Sequence, residues 1–250
     1  MLFDKNHILI MVAIFLTVLI GEILSYFFIK DEKKKKIILR IFAILTVVIH
    51  YSSLYVDFLK TGSAEVESVM LFPIYPCNVA MWLLLIVSFM KEDSKIYKIM
   101  AEFTFYLGIV GGIVGILFNE IYAGTPNLAD YDVLKGFLSH GTLIFGAIYL
   151  LVGKFIKIRV HNVLSVFIGM LFLLVDGGII IGIYKLCKLD APNAMYLLNL
   201  PFENLPWLNT WTIGVAAVLL TFAITAIYEQ FAINKEDRWY NRLKSKGGKW

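Results

Sequence analysis

The sequence predicts an all-α membrane protein, a seven-transmembrane-helix bundle with its N-terminus outside and its C-terminus in the cytoplasm. Composition is the first observation behind this prediction, because 59% of the 250 residues are hydrophobic and only 17% are charged. Ordinary soluble domains do not reach that balance. The second observation is a regular alternation of long apolar runs with short basic turns along the chain.

Seven apolar segments have the length of a membrane crossing, which takes roughly 20 residues in a helix. They are residues 7–29, 37–56, 68–90, 97–118, 136–153, 161–185 and 211–233. The first segment is too long for the apolar part of a signal peptide, and no basic stretch precedes it. We therefore expect it to be retained as a helix.

The basic residues indicate the orientation. Eighteen of the 23 Lys and Arg residues fall in the turns 30–40, 91–98 and 154–159 and in the C-terminal tail. Because cytoplasmic loops carry the excess of basic residues, these four segments are predicted to lie inside. The chain should then have one transmembrane domain, residues 1–233, followed by a basic cytoplasmic tail, residues 234–250.

The net charge of +4 follows from this topology and does not indicate nucleic-acid binding. We expect the basic run Lys33 to Lys36 and the tail to lie on anionic lipid headgroups, where each charge contributes about 1 kcal/mol. No zinc or haem spacing and no glycine-rich phosphate loop is present, so neither a metal nor a cofactor is predicted. Cys77 and Cys187 are predicted at different depths, which argues against a disulfide.

The segment 68–90 contains two prolines well inside it, Pro73 and Pro76. Proline lacks a backbone N–H and disfavours the preceding helical turn, so each should release a carbonyl four residues earlier. In hydrocarbon, such carbonyls are tolerated only against protein or a water-filled cavity. Cys77 directly follows the second proline and is therefore expected to line a cavity.

The 97–118 segment carries two overlapping pairs of small residues, Gly108 with Gly112 and Gly111 with Gly115. Glycines at this spacing let helix backbones approach each other closely in a membrane. We interpret this segment as packing scaffold.

Three further polar groups are predicted at the depth of Cys77. At a rise of about 1.5 Å per residue, His50, His140 and Asp176 all fall roughly 6 to 14 Å below the outer surface. An ionisable residue inside a membrane is a candidate functional residue. Structural interpretations remain open as well. Cys77 could be a small buried apolar group, His140 could cap a helix, and His50 could form a hydrogen bond between helices.

If Pro76 begins a new helical segment, Cys77 lies in its first turn. The N–H groups there would favour the thiolate and could hold a developing oxyanion. His140 would be the general base, oriented by Asp176 or His50. The adjacent Tyr75 and Asn78 are expected to bind or orient. This set suits acyl transfer from a lipid ester.

Three short motifs carry a family resemblance: F-P-I-Y-P-C-N at 72–78, F-x-S-H at 137–140 and N-A-M-Y-L at 193–197. With Pro201 and Pro206-Trp207, they resemble the YwaF family of bacterial multi-pass membrane proteins, which implies a bacterial plasma membrane. A eukaryotic branch resembles phospholipid acyltransferases that use a membrane Cys and a His. By position those roles fall on Cys77 and His140. Asn193, which opens the third motif, is expected to bind or orient.

Two other functions remain open. A broken helix is also how transporters build binding sites, so the protein could be a non-catalytic carrier or receptor for a small molecule. The sequence shows neither an inverted repeat nor a second interrupted helix, which argues against a carrier. The third interpretation is a structural or accessory membrane subunit.

Overall fold

The computed structural model describes residues 2–62, 72–200, 206–207 and 209–245. Helices make up 79% of the structure, and the described residues contain no strand, so the all-α prediction is confirmed. The chain divides into two compact units, residues 1–156 and 157–250. The predicted division into a domain ending at residue 233 and a tail stays a prediction.

The described ranges contain nine α-helices. They are α1 Lys5–Phe28, α2 Glu32–Thr61, α3 Pro76–Phe89, α4 Lys95–Leu117, α5 Glu120–Gly124, α6 Tyr131–Val152, α7 Val163–Leu186, α8 Thr210–Ala232 and α9 Trp239–Ser245. Short 3₁₀ turns lie at Val160–Asn162, Ala194–Tyr196 and Lys235–Asp237.

Six helical stretches in the described residues are long and apolar enough to cross a membrane. They are α1, α2, α4 running into α5, α6, α7 and α8. Each corresponds to one of the predicted segments, and most of their ends fall within a few residues of the predicted ones. The protein is therefore a multi-pass membrane protein.

The helix predicted over 68–90, with two prolines inside it, is shorter in the described residues. The helix begins at Pro76, and Phe72 to Tyr75 are not helical, whereas residues 68–71 lie outside the described residues. Proline suits the first helical position, because its missing N–H is not needed there. Tyr75 before it is extended, with φ −120° and ψ 154°, as the residue preceding a proline prefers. Within the described residues, Pro73 thus lies in a non-helical stretch and Pro76 begins the helix.

In the first unit, α6 is the central helix, since it packs against α1, α2, α3 and α4. Phe145 of α6 shows how closely these helices approach. Its ring stacks on that of Phe42 in α2, with the ring centroids 3.8 Å apart. On the other side it lies against α1, where a Cβ atom at Gly21 would be 2.9 Å from the Phe145 ring.

The start of α1 is tied to the end of α4 and to α5 by buried hydrogen bonds. Asp4 accepts hydrogen bonds from the His7 N–H at 2.9 Å and from the Tyr122 hydroxyl at 2.7 Å. These bonds hold the pKa of Asp4 well below its usual value, at about 2. The His7 ring is fully buried: its Nε2 bonds to the Ile116 carbonyl at 3.0 Å, and its Nδ1 to the Phe3 N–H at 2.8 Å.

In the second unit, the fully buried carboxylate of Glu229 in α8 holds three segments together. It accepts hydrogen bonds from the N–H of Val160 at 2.9 Å and from the N–H of Trp239 at 2.7 Å. The Arg242 guanidinium lies 3.3 Å from it. Val160 begins the 3₁₀ turn before α7 and Trp239 begins α9, so one side chain satisfies the backbone at the start of two elements.

We predict that Glu229→Ala destabilises the protein. The change removes the acceptor of two backbone N–H groups and leaves Arg242 without its carboxylate, and breaking a buried charge pair typically costs about 3–5 kcal/mol. Thermal unfolding of the detergent-purified protein measures the loss. Glu236→Ala, at an exposed position of the 3₁₀ turn before α9, is the matched control and should change little. Equal effects of the two variants would contradict the role of Glu229.

Candidate functional site

Cys77 lies in the first turn of α3, as the sequence predicted. Pro76 is the first helical residue and Cys77 the second. The cysteine is half-buried and is a free thiol. The backbone N–H groups of Cys77 and Asn78 both interact with its sulfur. The thiol therefore lies at the positive end of a helix dipole, beside backbone donors.

The hydrogen bonds of this first turn reduce the set of donors available to an oxyanion. Pro76 has no N–H, and the N–H groups of Asn78 and Val79 both bond to the Tyr75 carbonyl, at 3.0 and 3.2 Å. The N–H of Cys77 itself is the first-turn donor that is not engaged in this way. An oxyanion at this position would thus meet one backbone donor that is not bonded to the Tyr75 carbonyl, fewer than a full helix terminus offers.

Three of the predicted orienting residues form one chain of hydrogen bonds beside Cys77. The side-chain oxygen of the buried Asn78 accepts from the Tyr75 N–H at 3.2 Å. Its amide nitrogen lies 3.3 Å from His50 Nε2. Because an amide nitrogen only donates, Nε2 of His50 is the acceptor in this bond. His50 is therefore connected to the start of α3.

His140 lies on α6 and is half-buried. Its Nδ1 is 2.7 Å from the carbonyl oxygen of Gly136, one turn earlier in the same helix. A carbonyl only accepts, so the proton is on Nδ1, and Nε2 carries the lone pair of the neutral ring. A backbone carbonyl thus fixes the tautomer that a general base needs. Sequence reasoning looked for a side chain in this role and had no signal for a backbone acceptor.

The glycines of α4 bring Cys77 and His140 to the same helix face. A Cβ atom at Gly111 would lie 3.3 Å from the Cys77 Cα, and one at Gly115 would lie 2.2 Å from His140 Nε2. Positions 111 and 115 are one helical turn apart, about 5–6 Å between Cβ positions. The cysteine and the histidine therefore lie over adjacent turns of α4, with a tight contact at Gly111 and no room for a side chain at Gly115.

The other two glycines of the pattern hold α4 against α6. A Cβ atom at Gly108 would be 2.7 Å from the Cβ of Ala147, and one at Gly112 would be 2.4 Å from Ile144 Cγ1. This is the scaffold role that the sequence predicted for the small residues of this segment. The part of Gly111 and Gly115 in accommodating the candidate site was missed, because the register of neighbouring helices cannot be derived from the spacing alone.

The remaining predicted site residues, Asp176 and Asn193, belong to the second unit. One oxygen of Asp176 is buried and accepts no hydrogen bond from the described chain. Asn193 shapes a turn: its oxygen accepts the N–H groups of Leu198 and Asn199 at 3.0 Å. Their orienting and binding roles stay predictions. Within the described ranges, no three His, Cys, Asp or Glu side chains are grouped as metal ligands would be.

We predict that Gly115→Ala displaces the His140 ring, because the new methyl carbon would lie 2.2 Å from Nε2. Overpacking of this kind costs typically about 1–3 kcal/mol, which thermal unfolding would detect. Gly182→Ala on α7, where a Cβ meets nothing within 4 Å, is the matched control and should be neutral or slightly stabilising.

A double-mutant cycle isolates the cause of this loss. In a His140→Ala background the ring is absent, so Gly115→Ala should then cost much less than in the wild type. An unchanged cost in that background would show that the methyl group clashes elsewhere.

The chain matches the family model of the TMEM164 family over residues 2–228. Comparisons with curated proteins and with solved structures found no match. The YwaF assignment is therefore wrong, because TMEM164 is a eukaryotic transmembrane family and not that bacterial one. The first motif misled because a proline at the first position of a helix is a general signal for helix initiation. The match covers nearly the whole sequence, and the chain belongs to the TMEM164 family.

Proposed function

We propose that the protein is an intramembrane lipid acyltransferase or lipid hydrolase with Cys77 as nucleophile and His140 as general base. The observation that carries the proposal is their placement over adjacent turns of α4, at Gly111 and Gly115. The tautomer of His140 supports it further, since Nδ1 is engaged by Gly136 and Nε2 can accept a proton.

The reaction would proceed in two steps. In the first, His140 Nε2 takes the proton of the Cys77 thiol while the sulfur attacks the ester carbonyl of a lipid. The carbon–oxygen bond to the lipid alkoxide breaks, that alkoxide takes the proton from His140, and the acyl group remains on sulfur as a thioester. In the second, a lipid hydroxyl or water gives its proton to His140 and attacks the thioester carbonyl. The carbon–sulfur bond then breaks, the acyl group leaves as an ester or a free acid, and the Cys77 sulfur takes the proton from His140, which restores the thiol.

A lipid substrate is supported by the depth of the thiol. The 14 residues of α3 extend about 21 Å, whereas the hydrocarbon core is about 30 Å thick. If α3 ends at the inner boundary, Cys77 lies about 9 Å inside the outer one. An ester bond at that depth belongs to a lipid, whose acyl chain can approach laterally. The Cys77 N–H would donate to the oxyanion that forms on the ester carbonyl.

We also propose that the chain crosses the membrane seven times with its N-terminus outside. The described part of the third segment supports this, because Phe72 to Tyr75 precede α3 and four residues can add at most about 13 Å to its length, which leaves room for a crossing. The basic turns then all lie on the cytoplasmic side. Contact of Lys33 to Lys36 with anionic headgroups stays a prediction from the sequence. Location in a bacterial plasma membrane followed only from the YwaF resemblance, so it has no basis once that assignment is corrected.

The test of catalysis is formation of the acyl-enzyme. Detergent-solubilised protein incubated with a phospholipid that carries an alkyne-tagged acyl chain should acquire a label that hydroxylamine removes, as a thioester requires. We expect Cys77→Ala to abolish the label. His140→Gln, which removes the base, should slow labelling by about 10²–10⁴-fold.

The second cysteine provides the matched control. Cys187 is an exposed free thiol, and Cys187→Ala should leave labelling unchanged. Label that persists in Cys77→Ala would refute the nucleophile, and full-rate labelling of His140→Gln would refute the base. If no variant is labelled while the wild type is stabilised by a soluble small molecule, the carrier interpretation replaces the enzyme.

The test of topology uses cysteines introduced in a Cys187→Ala background. Lys60→Cys, near the end of α2, and Glu92→Cys, just after α3, should lie on opposite sides if residues between them cross the membrane. A membrane-impermeant thiol reagent applied to oriented vesicles should then label one position from outside and the other only after permeabilisation. Labelling of both from the same side would remove the seventh crossing.

A further inference from the structure

Glu22 lies on the buried face of α1, away from the candidate site. Val18, Glu22 and Ser25 are the buried residues in this part of the helix, and their spacing of four and three puts them on one face. The neighbouring Gly21 meets the Phe145 ring of α6, which places this face against α6. Glu22 is only 5% exposed.

Neither carboxylate oxygen of Glu22 has a hydrogen-bond partner among the described residues. Tyr149 lies one turn beyond Phe145 on α6, with the two ring centroids 5.7 Å apart, and it interacts electrostatically with Glu22. The Tyr149 hydroxyl is also buried and accepts or donates no hydrogen bond in the described chain. Two buried polar groups on two packed helices thus have unused hydrogen-bonding capacity.

Three basic side chains at this end of the first unit have other partners. Lys35 pairs with Glu32 at 2.6 Å, Lys36 pairs with Glu92 at 2.7 Å, and Arg40 donates to the Ser88 carbonyl at 3.2 Å. From α6, Tyr149 acts electrostatically on Glu22. From α2, Glu32 also acts on Tyr149, but it is paired with Lys35. No described cationic side chain neutralises Glu22.

Glu229 shows the contrast. It is equally buried, but two backbone N–H groups and an arginine satisfy its oxygens. A buried carboxylate without such partners is strongly disfavoured in a membrane unless positive charge comes from elsewhere. Glu22 is almost as buried as Glu229, but within the described residues no hydrogen-bond donor satisfies its carboxylate oxygens.

We propose that Glu22 and Tyr149 form a binding site for a small cation, either a proton or an alkali metal ion. The two carboxylate oxygens supply the negative charge, and the phenol oxygen of Tyr149 is a neutral oxygen ligand of the kind that hard cations prefer. A site this buried excludes bulky organic cations. The occupant joins α1 to α6, the helix that also carries His140.

The experiment measures thermal unfolding of the detergent-purified wild type as pH is raised, in choline chloride and in NaCl or KCl of equal ionic strength. The folded state should hold a proton that the unfolded state releases, so the unfolding temperature should fall by several degrees as the solution becomes alkaline. Glu22→Gln, which has nearly the same shape and no charge, should abolish that fall. Glu92→Gln removes a surface carboxylate at the same end and should preserve it.

The salts distinguish the two occupants. Restoration of the unfolding temperature by NaCl or KCl, weakened in Tyr149→Phe, identifies an alkali metal ion, because a ligand that binds only the folded state stabilises it. A fall that no salt restores identifies the proton. A wild-type unfolding temperature that depends on neither pH nor salt overturns the proposal, even without a variant. The proposal is also overturned if the unfolding temperature of Glu22→Gln depends on pH and salt as that of the wild type does.

Discussion

Close packing on the glycines of α4 determines the geometry of the first unit. Between membrane helices the hydrophobic effect gives little attraction, so association depends on how closely backbones approach. Gly108 and Gly112 bring α6 close to α4, through Ala147 and Ile144. Because α6 is then fixed in rotation and height, His140 comes to lie over the next glycine of the pattern. The candidate site is therefore a consequence of the packing.

Polar groups in the apolar helices differ more in their partners than in their positions. His7 and Glu229 are fully buried, and their polar atoms are matched by backbone groups and, for Glu229, an arginine. Such groups stabilise a unique arrangement of helices. His140 differs, because one ring nitrogen is engaged by Gly136 and the other lies over a glycine. An engaged Nδ1 with an available Nε2 is what proton transfer requires.

Much of the fold could be predicted from sequence, because apolar length and basic turns directly reflect the thickness and charge asymmetry of a membrane. The placement of Cys77 in a first helical turn was likewise predictable from Pro76, since proline favours that position. What could not be predicted depends on register between helices. The Gly136 carbonyl as the partner of His140, and Gly111 and Gly115 as the surface beneath the site, need coordinates. The role of Glu229 depends on backbone groups far along the chain.

The candidate site and the Glu22 site share α6. His140 and Tyr149 are nine residues apart, about 14 Å along the helix. Between them Ile144 and Ala147 lie against Gly112 and Gly108, so this stretch cannot deform locally without a clash. Any change of charge at Glu22 would therefore reach His140 as a movement of the whole helix. Gly115 is where that movement would be resisted first, because no space separates it from the imidazole ring.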